Sequence, residues 1–154
     1  MATQYTAGLT AGQILTAATM NSIGAAWESY TPTIKGGATT VTATITYAKY
    51  VQINKFVYVQ VRAAVTSAGA ANGAINISLP GGFPALLPSN QRNIGTFMVE
   101  DVGVGFFVGL AIANTSTGVQ GFTNNVGDFM GAAGPAMTLA NGDFVSMSVC
   151  YEIA

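Results

Sequence analysis

The sequence predicts an all-β fold, an antiparallel β-sandwich or jelly roll of about eight short strands behind a short N-terminal helix or arm. Three observations predict it. Apolar and polar residues alternate at period two through most of the chain after Tyr30. Gly, Asn and Pro clusters separate the alternating runs, as turns do in an antiparallel fold. Helical spacing appears in one stretch alone, residues 16–27. The expected organisation is an arm over residues 1–30 and one β domain over residues 31–154, with no internal repeat and no linker to a second domain.

Taken in order, the arm comes first. No residue from Met1 to Trp27 is charged, and Thr, Gln, Asn and Gly interrupt its apolar residues. It lacks the basic start and continuous apolar core of a secretory signal. Thr16 can cap a short helix in which Ala17, Met20, Ile23 and Trp27 share a face, and Gly24 can end it. A helix this short is marginal alone, so its apolar stripe needs a partner surface.

Strands follow. In TTVTATITY, Val41, Ala43, Ile45 and Tyr47 alternate with threonines; in FVYVQVRAAV, Val57, Val59, Val61, Ala63 and Val65 share one face. Asn54-Lys55 joins the two as a tight hairpin. Asn72-Gly73 introduces a strand with Ile75, Ile77 and Leu79 aligned, and PGGFPALLPSN is an irregular loop. Phe97 and Val99 mark the next strand. In VGVGFFVGLAIA the even positions from Val104 to Ile112 are apolar, and the opposite face, Gly103, Gly105, Phe107, Gly109 and Ala111, is nearly bare. Such a face admits close approach of another backbone, from the same chain or from a symmetry mate. Asn114 to Gly118 reads as a turn, GFTNNVGDFMGAAGPA as loop and AMTLA as a short strand. After the Asn141-Gly142 turn, Val145, Met147, Val149, Tyr151 and Ile153 line the last strand. Cys150, on that strand, reads as a small packed residue with no disulfide partner.

Composition then narrows the function. With 5 basic and 6 acidic residues the net charge is −1, so there is no basic field for nucleic acid or anionic lipid. No run of 18 apolar residues exists to span a membrane as a helix. Charged residues make up 7% of the chain against about 25% in ordinary domains, which points to a surface covered by other chains, the rival explanation being a surface solvated by neutral Thr, Ser, Asn and Gln. Histidine is absent, removing the usual general base and the commonest metal ligand. The acids are Glu28, Glu100, Asp101, Asp128, Asp143 and Glu152; Glu100 and Asp101, being adjacent on a strand, point apart. The expectation is no enzymatic activity, no cofactor and no metal. GVGFFVG lacks the spacing and following helix of a phosphate loop.

Three stretches resemble the small β-rich structural proteins of tailed bacteriophages. GQILTAATMN followed by WESYTPTI is similar to their G-Q/D-x-L-T-A-A-x-x-N segment and W-x-x-Y-T-P-T strand. ITYAKYVQINKFVYVQVRAAVT resembles T-Y-A-K-Y-x-x-I-G-K-x-V, with Asn54 where Gly is usual, and LANGDFVSMSVCYEIA resembles the closing A-N-G-D strand ending on Y-E. The resemblance covers roughly the first 65 residues and the last 16. It implies a virion protein assembled in the host cytoplasm, of tail-fibre, minor tail or capsid-decoration (head-fibre) type. It further implies a homotrimer whose N-terminal arm attaches to other virion proteins while the β domain projects, with a host surface glycan or receptor as a further partner.

The residues themselves assign the assembly surfaces to Ile14, Leu15, Met20, Ile23 and Trp27 on the arm and to Gly103, Gly105, Phe107 and Gly109 on the bare face. A rival class is a carbohydrate-binding module or glycan hydrolase. It would stack sugars on Tyr50, Tyr58, Phe83 or Phe107, or bring an acidic pair such as Asp128 and Asp143 together across a cleft.

Overall fold

The computed structural model describes residues 26–67, 73–86, 93–123, 128–132 and 136–153. Among them it is all-β, antiparallel and without a helix. Ten strands form: β1 (Glu28–Ser29), β2 (Ile34–Gly36), β3 (Thr39–Ile53), β4 (Phe56–Ser67), β5 (Ile75–Ser78), β6 (Asn93–Asp101), β7 (Gly105–Thr115), β8 (Gly118–Thr123), β9 (Asp128–Phe129) and β10 (Phe144–Glu152). Eight of them close into a ring in the order β3–β4–β10–β6–β7–β8–β5–β2, and β2 returns to β3. β1 and β9 are short additions on β3 and β8.

The expected sandwich is therefore replaced by a closed barrel. Two features of β3 explain how one sheet closes on itself. It is 15 residues long, and its register against β4 shifts between Thr42 and Ala43 and between Ile45 and Tyr47. Bulges bend a strand and increase its twist, so β3 pairs β2 near its start and β1 near its end while following β4 between. The second shift also reverses the inward face. Val41 is buried before it, Ala48 and Tyr50 are buried after it, and Tyr47 turns outward. The helix expected over residues 16–27 falls almost wholly outside the described residues; Ala26 and Trp27, which are described, are not helical.

The core is the barrel interior. Val57, Val59, Val61, Ala63 and Val65 of β4 and Val145, Met147, Val149 and Tyr151 of β10 all face inward, with Ile75, Ile77, Phe97 and Val99 beside them. Each large side chain so buried stabilises the fold by about 1.5–3 kcal/mol. An eight-stranded barrel is just wide enough for side chains to fill, and Phe97, Met130 and Leu139 are among the largest fully buried side chains. Asn54 supplies the β3–β4 turn with φ 56°, a left-handed conformation that Asn tolerates where Gly would be usual.

Three local expectations change. GVQGFT forms β8, in a stretch where glycines read as turn and loop. AMTLA is not a strand; Thr138 alone is bridged, and Leu139 reaches the core from a loop. Cys150 lies on β10 with its thiol exposed, because its neighbours Val149 and Tyr151 take the inward positions.

Candidate functional site

Because the interior is filled, chemistry and recognition belong to the outer surface. Its most distinct region is β7. The inward positions of this strand are Phe107, Gly109, Ala111 and Ala113, and the outward ones are Phe106, Val108 and Leu110, continuing from Val104 in the β6–β7 turn. Large apolar side chains thus face solvent, while Gly109, Ala111 and Ala113 face the core beside Phe107. The cause is volume. A Cβ on Gly109 would strike the Phe122 carbonyl and the Met130 methyl, and one on Gly121 would meet the Phe97 ring and the Met130 sulfur. Phe97 lies opposite Gly109 in the β6–β7 register, and its ring fills the space over Gly121 of the neighbouring β8, while Phe122 and Met130 close the space over Gly109.

The resulting stripe is exposed along its length: Val102 58%, Val104 73%, Phe106 67%, Val108 65% and Leu110 41%. Met98 of β6 and Phe122 of β8 lie beside it in register, and Phe122 stacks edge-on with Phe129 of β9 at 5.5 Å. Glu100 of β6 stands directly opposite Phe106 in the β6–β7 register and pairs with Arg62 at 3.4 Å, so an ion pair flanks the row on its β6 side. The base of the β6–β7 hairpin is fastened by Asp143, which is 2% exposed. One carboxylate oxygen accepts from the Val102 amide at 3.0 Å and the other from the Ala140 amide at 2.6 Å. The nearby Asp101 carboxyl is raised above its ordinary range by partial desolvation and then by the charge of Asp143.

The opposite end of the barrel receives the arm. Glu28 pairs with Tyr50 and accepts its hydroxyl hydrogen bond at 2.7 Å. Burial, followed by this carboxylate, pushes the Tyr50 pKa up to about 12. Tyr30 packs T-shaped on Tyr50, Tyr50 lies tilted against Phe83, and Tyr151 donates to the Phe83 carbonyl at 3.1 Å, closing this end with rings. Burial raises the Tyr30 and Tyr151 hydroxyls further still. Trp27, 44% exposed, lies against Tyr58 at 5.7 Å with the planes 65° apart. Tyr58 also shares a hydrogen bond with Ser148 at 2.8 Å and accepts one from Gln60 at 2.9 Å.

The sites expected from sequence are distributed as follows. Ile14, Leu15, Met20 and Ile23 lie outside the described residues. Gly103 and Gly105 are in or beside the β6–β7 turn with open space around them, whereas Phe107 and Gly109 face inward. Of the proposed sugar-stacking rings, Tyr50, Phe83 and Phe107 pack against the core, and Tyr58 alone is on the outer wall, edge-on to Trp27 rather than in a flat platform. Asp128 binds the Phe129 amide and Asp143 the two amides above, so both serve the backbone. Among the described residues no group of three His, Cys, Asp or Glu could hold a metal. No helix there is long and apolar enough to cross a membrane.

Two features were missed by sequence reasoning. The first is the outward direction of Phe106 and Val108; its signal was present in the size contrast of the two β7 faces, which a packed barrel resolves by putting small residues opposite large ones. The second is a shallow polar groove on the far wall, where Lys35, Asn76 and Gln120 align across β2, β5 and β8 with Thr33 and Ser78. Single polar residues on strands give no sign that they will line up. No family model matches the chain, and no curated protein or solved structure shows significant similarity to it.

Proposed function

We propose that the chain is a non-enzymatic structural protein of a tailed-phage virion, an oligomeric β domain held on the particle by its N-terminal arm. A tail-fibre, receptor-binding or minor tail position is the main reading, and capsid decoration is its alternative within the same class. The observation that carries the proposal is the division of the barrel's outer surface. One end receives the arm through Glu28 and Trp27, and an uncharged apolar face lies toward the other end. A barrel with two outward attachment regions and a filled interior suits assembly better than turnover. The sequence motifs around Gly12, Trp27 and Tyr47 supply the phage part of the reading.

Quantitative mass spectrometry of purified particles from a strain that encodes the chain tests it. Hundreds of copies per particle assign it to the capsid, and a handful to a few dozen to the tail. Absence from the particles overturns the virion reading.

A further inference from the structure

Lys35 of β2, Asn76 of β5 and Gln120 of β8 form one row across three strands, because Lys35 pairs with Asn76 and Asn76 with Gln120. Their neighbours Ile34, Ile77 and Val119 are buried in the barrel, so the row faces outward. Thr33, Ser78 and Gly118 lie beside it, with Thr115 and Thr117 at the rim. Together they line a groove of about 460 Å³, within the range of about 300–1,000 Å³ for small-ligand sites. Its lining holds hydroxyls, amides and one ammonium, with no aromatic ring, no apolar side chain and no carboxylate.

The polar groups outside β4 satisfy one another. Tyr58 bonds Ser148 and Gln60, and Arg62 holds Glu100 and lies 4.5 Å from the centre of the Phe144 ring. The groove differs. Among the described residues the Lys35 ammonium has no carboxylate partner, and the side-chain amides of Asn76 and Gln120 make no hydrogen bond to the protein. Asn76 and Gln120 are half-buried on paired strands, so little ordering is left for a ligand to impose. Gly118 makes room for one of them. A Cβ there would come within 2.9 Å of Asn76 Nδ2 and 3.0 Å of its Oδ1, so the amide lies over bare backbone.

No acidic side chain of the chain reaches Lys35. Glu28 accepts from Tyr50, Glu100 holds Arg62, and Asp128 and Asp143 bind backbone amides. Asp101 and Glu152 lie on β6 and β10, which do not border β2, β5 or β8. The residues outside the described set include no acid, so the arm has no carboxylate side chain to offer. A second copy has most of its carboxylates engaged in the same way. One lysine is too few for a nucleic-acid backbone. A small ligand with one anionic group and many hydroxyls fits what is left.

We infer that this groove binds a sugar that carries a carboxylate, a uronic or sialic acid residue of a surface glycan. Lys35 takes the carboxylate as a point charge with three donors, and the Asn76 and Gln120 amides, each donor and acceptor, take the hydroxyls. With no ring to cover a sugar face, the charge contact carries the recognition. The inference names a ligand for the receptor-binding position proposed above, and rests on that reading for the source of the glycan alone.

Amide chemical-shift titration of the full chain with sialyllactose and with digalacturonic acid tests this, beside lactose and acetate as controls. At least one acidic sugar should shift the amides of Lys35, Asn76, Thr117 and Gln120, and lactose should shift them little. Which of the two acids binds identifies the class of glycan. Lys35→Gln, at an exposed position, should weaken binding about 10-fold and leave folding unchanged. Gly118→Ala, whose Cβ presses on the Asn76 amide, should weaken it as well; if that variant fails to fold, Asn76→Ala replaces it. No shift with either acid overturns the groove as a sugar site, whatever the particle count shows. Equal binding of lactose, or binding unmoved by Lys35→Gln, overturns the carboxylate contact and with it the inference. Acetate that binds as tightly as the sugars reduces the site to one for simple anions and overturns the saccharide. Shifts centred on Trp27 and Tyr58 overturn this groove while leaving a receptor-binding role intact. Absence of the chain from particles, with binding preserved, overturns the virion reading and not the site.

Discussion

β4 and β7 are both long strands of one barrel, both alternate at period two, and they use their faces in opposite ways. β4 turns Val57, Val59, Val61, Ala63 and Val65 inward and presents Tyr58, Gln60 and Arg62 outside. β7 turns Phe107, Gly109, Ala111 and Ala113 inward and presents Phe106, Val108 and Leu110 outside. Periodicity marks each as a strand but does not choose its inner face. The choice is made by the space left by distant residues. Beside β4 the interior is open enough for a column of valines; beside β7 it already holds Phe97 and Met130. Hydrophobicity alone would have turned both strands with their large apolar residues inward, and close packing overrides it on one of them.

The largest expected effect comes from removing the residue that makes the difference. Phe97→Ala should cost about 3–5 kcal/mol, read by denaturant unfolding. Gly121→Ala should cost about 1–3 kcal/mol, because its Cβ meets the Phe97 ring. In the Phe97→Ala background the same glycine substitution should cost much less, and the double-mutant cycle measures that coupling. Additive losses would mean that the Phe97 ring is not what keeps position 121 of β8, beside β7, free of a side chain.

How far the sequence reveals this molecule follows the same division. β4, β5, β6 and β10 were readable because their inner faces are built of valine, isoleucine, phenylalanine and methionine, whose alternation survives intact. β8 was not, because Gly118 and Gly121 resemble turn residues until Phe97 is known to lie against Gly121. The closure of the barrel is not readable either, since it depends on two register shifts between β3 and β4, at which Thr66 and Thr46 go unpaired without a sequence signature. Of the assembly residues, those on β7 were found as a strand with two unlike faces, and the structure supplies the direction of each. The polar row of Lys35, Asn76 and Gln120 needed the β2–β5–β8 pairing before it existed as a feature at all.

A second, smaller effect concerns how the outward face is held. Asp143 is buried and both its oxygens are used, on the Val102 and Ala140 amides. Asp143→Ala should destabilise the chain by about 1.5–3 kcal/mol, the range for hydrogen bonds to a charged acceptor, measured by chemical denaturation. Hydrogen exchange should quicken first at Val102 and Val104, at the base of the stripe. A loss spread evenly over β4 instead would show that Asp143 does not fasten this hairpin specifically.

One substitution placed in both walls gives a sharper and smaller contrast. Val59→Thr puts a hydroxyl into a fully buried site and should cost about 1–3 kcal/mol. Val108→Thr changes an outward residue that is 65% exposed and should alter folding by less than about 0.5 kcal/mol. Both are to be measured at concentrations dilute enough for the monomer, so that association does not enter. Equal costs at the two positions would contradict the opposite facing of β4 and β7.

The smallest effect lies at the edge of the β7 wall, where Asp101 precedes the hairpin. Its carboxyl is raised above the ordinary aspartate range, first by partial desolvation and second by the charge of Asp143. A carboxyl raised on folding binds its proton more tightly in the native state than in the unfolded one. Its favourable contribution is therefore complete below the unfolded value and is lost as pH rises through the raised native value; at neutral pH the ionised group is a net cost. Asp101 is largely solvated, so this cost is heavily screened. Asp101→Asn removes it and should raise the melting temperature slightly at pH 7. The gain should shrink as pH falls through the aspartate range and vanish where the wild-type carboxyl is itself protonated. High salt should shrink it too, since Asp101 itself is largely solvated and ions can screen it from Asp143. β4 offers a direct control, because Arg62→Gln on its outer face removes a charge of opposite sign and the ion pair to Glu100. That variant should lose a little stability at pH 7 where Asp101→Asn gains it. A melting temperature for Asp101→Asn below that of the wild type at pH 7 would mean that the carboxylate holds the hairpin instead of straining it.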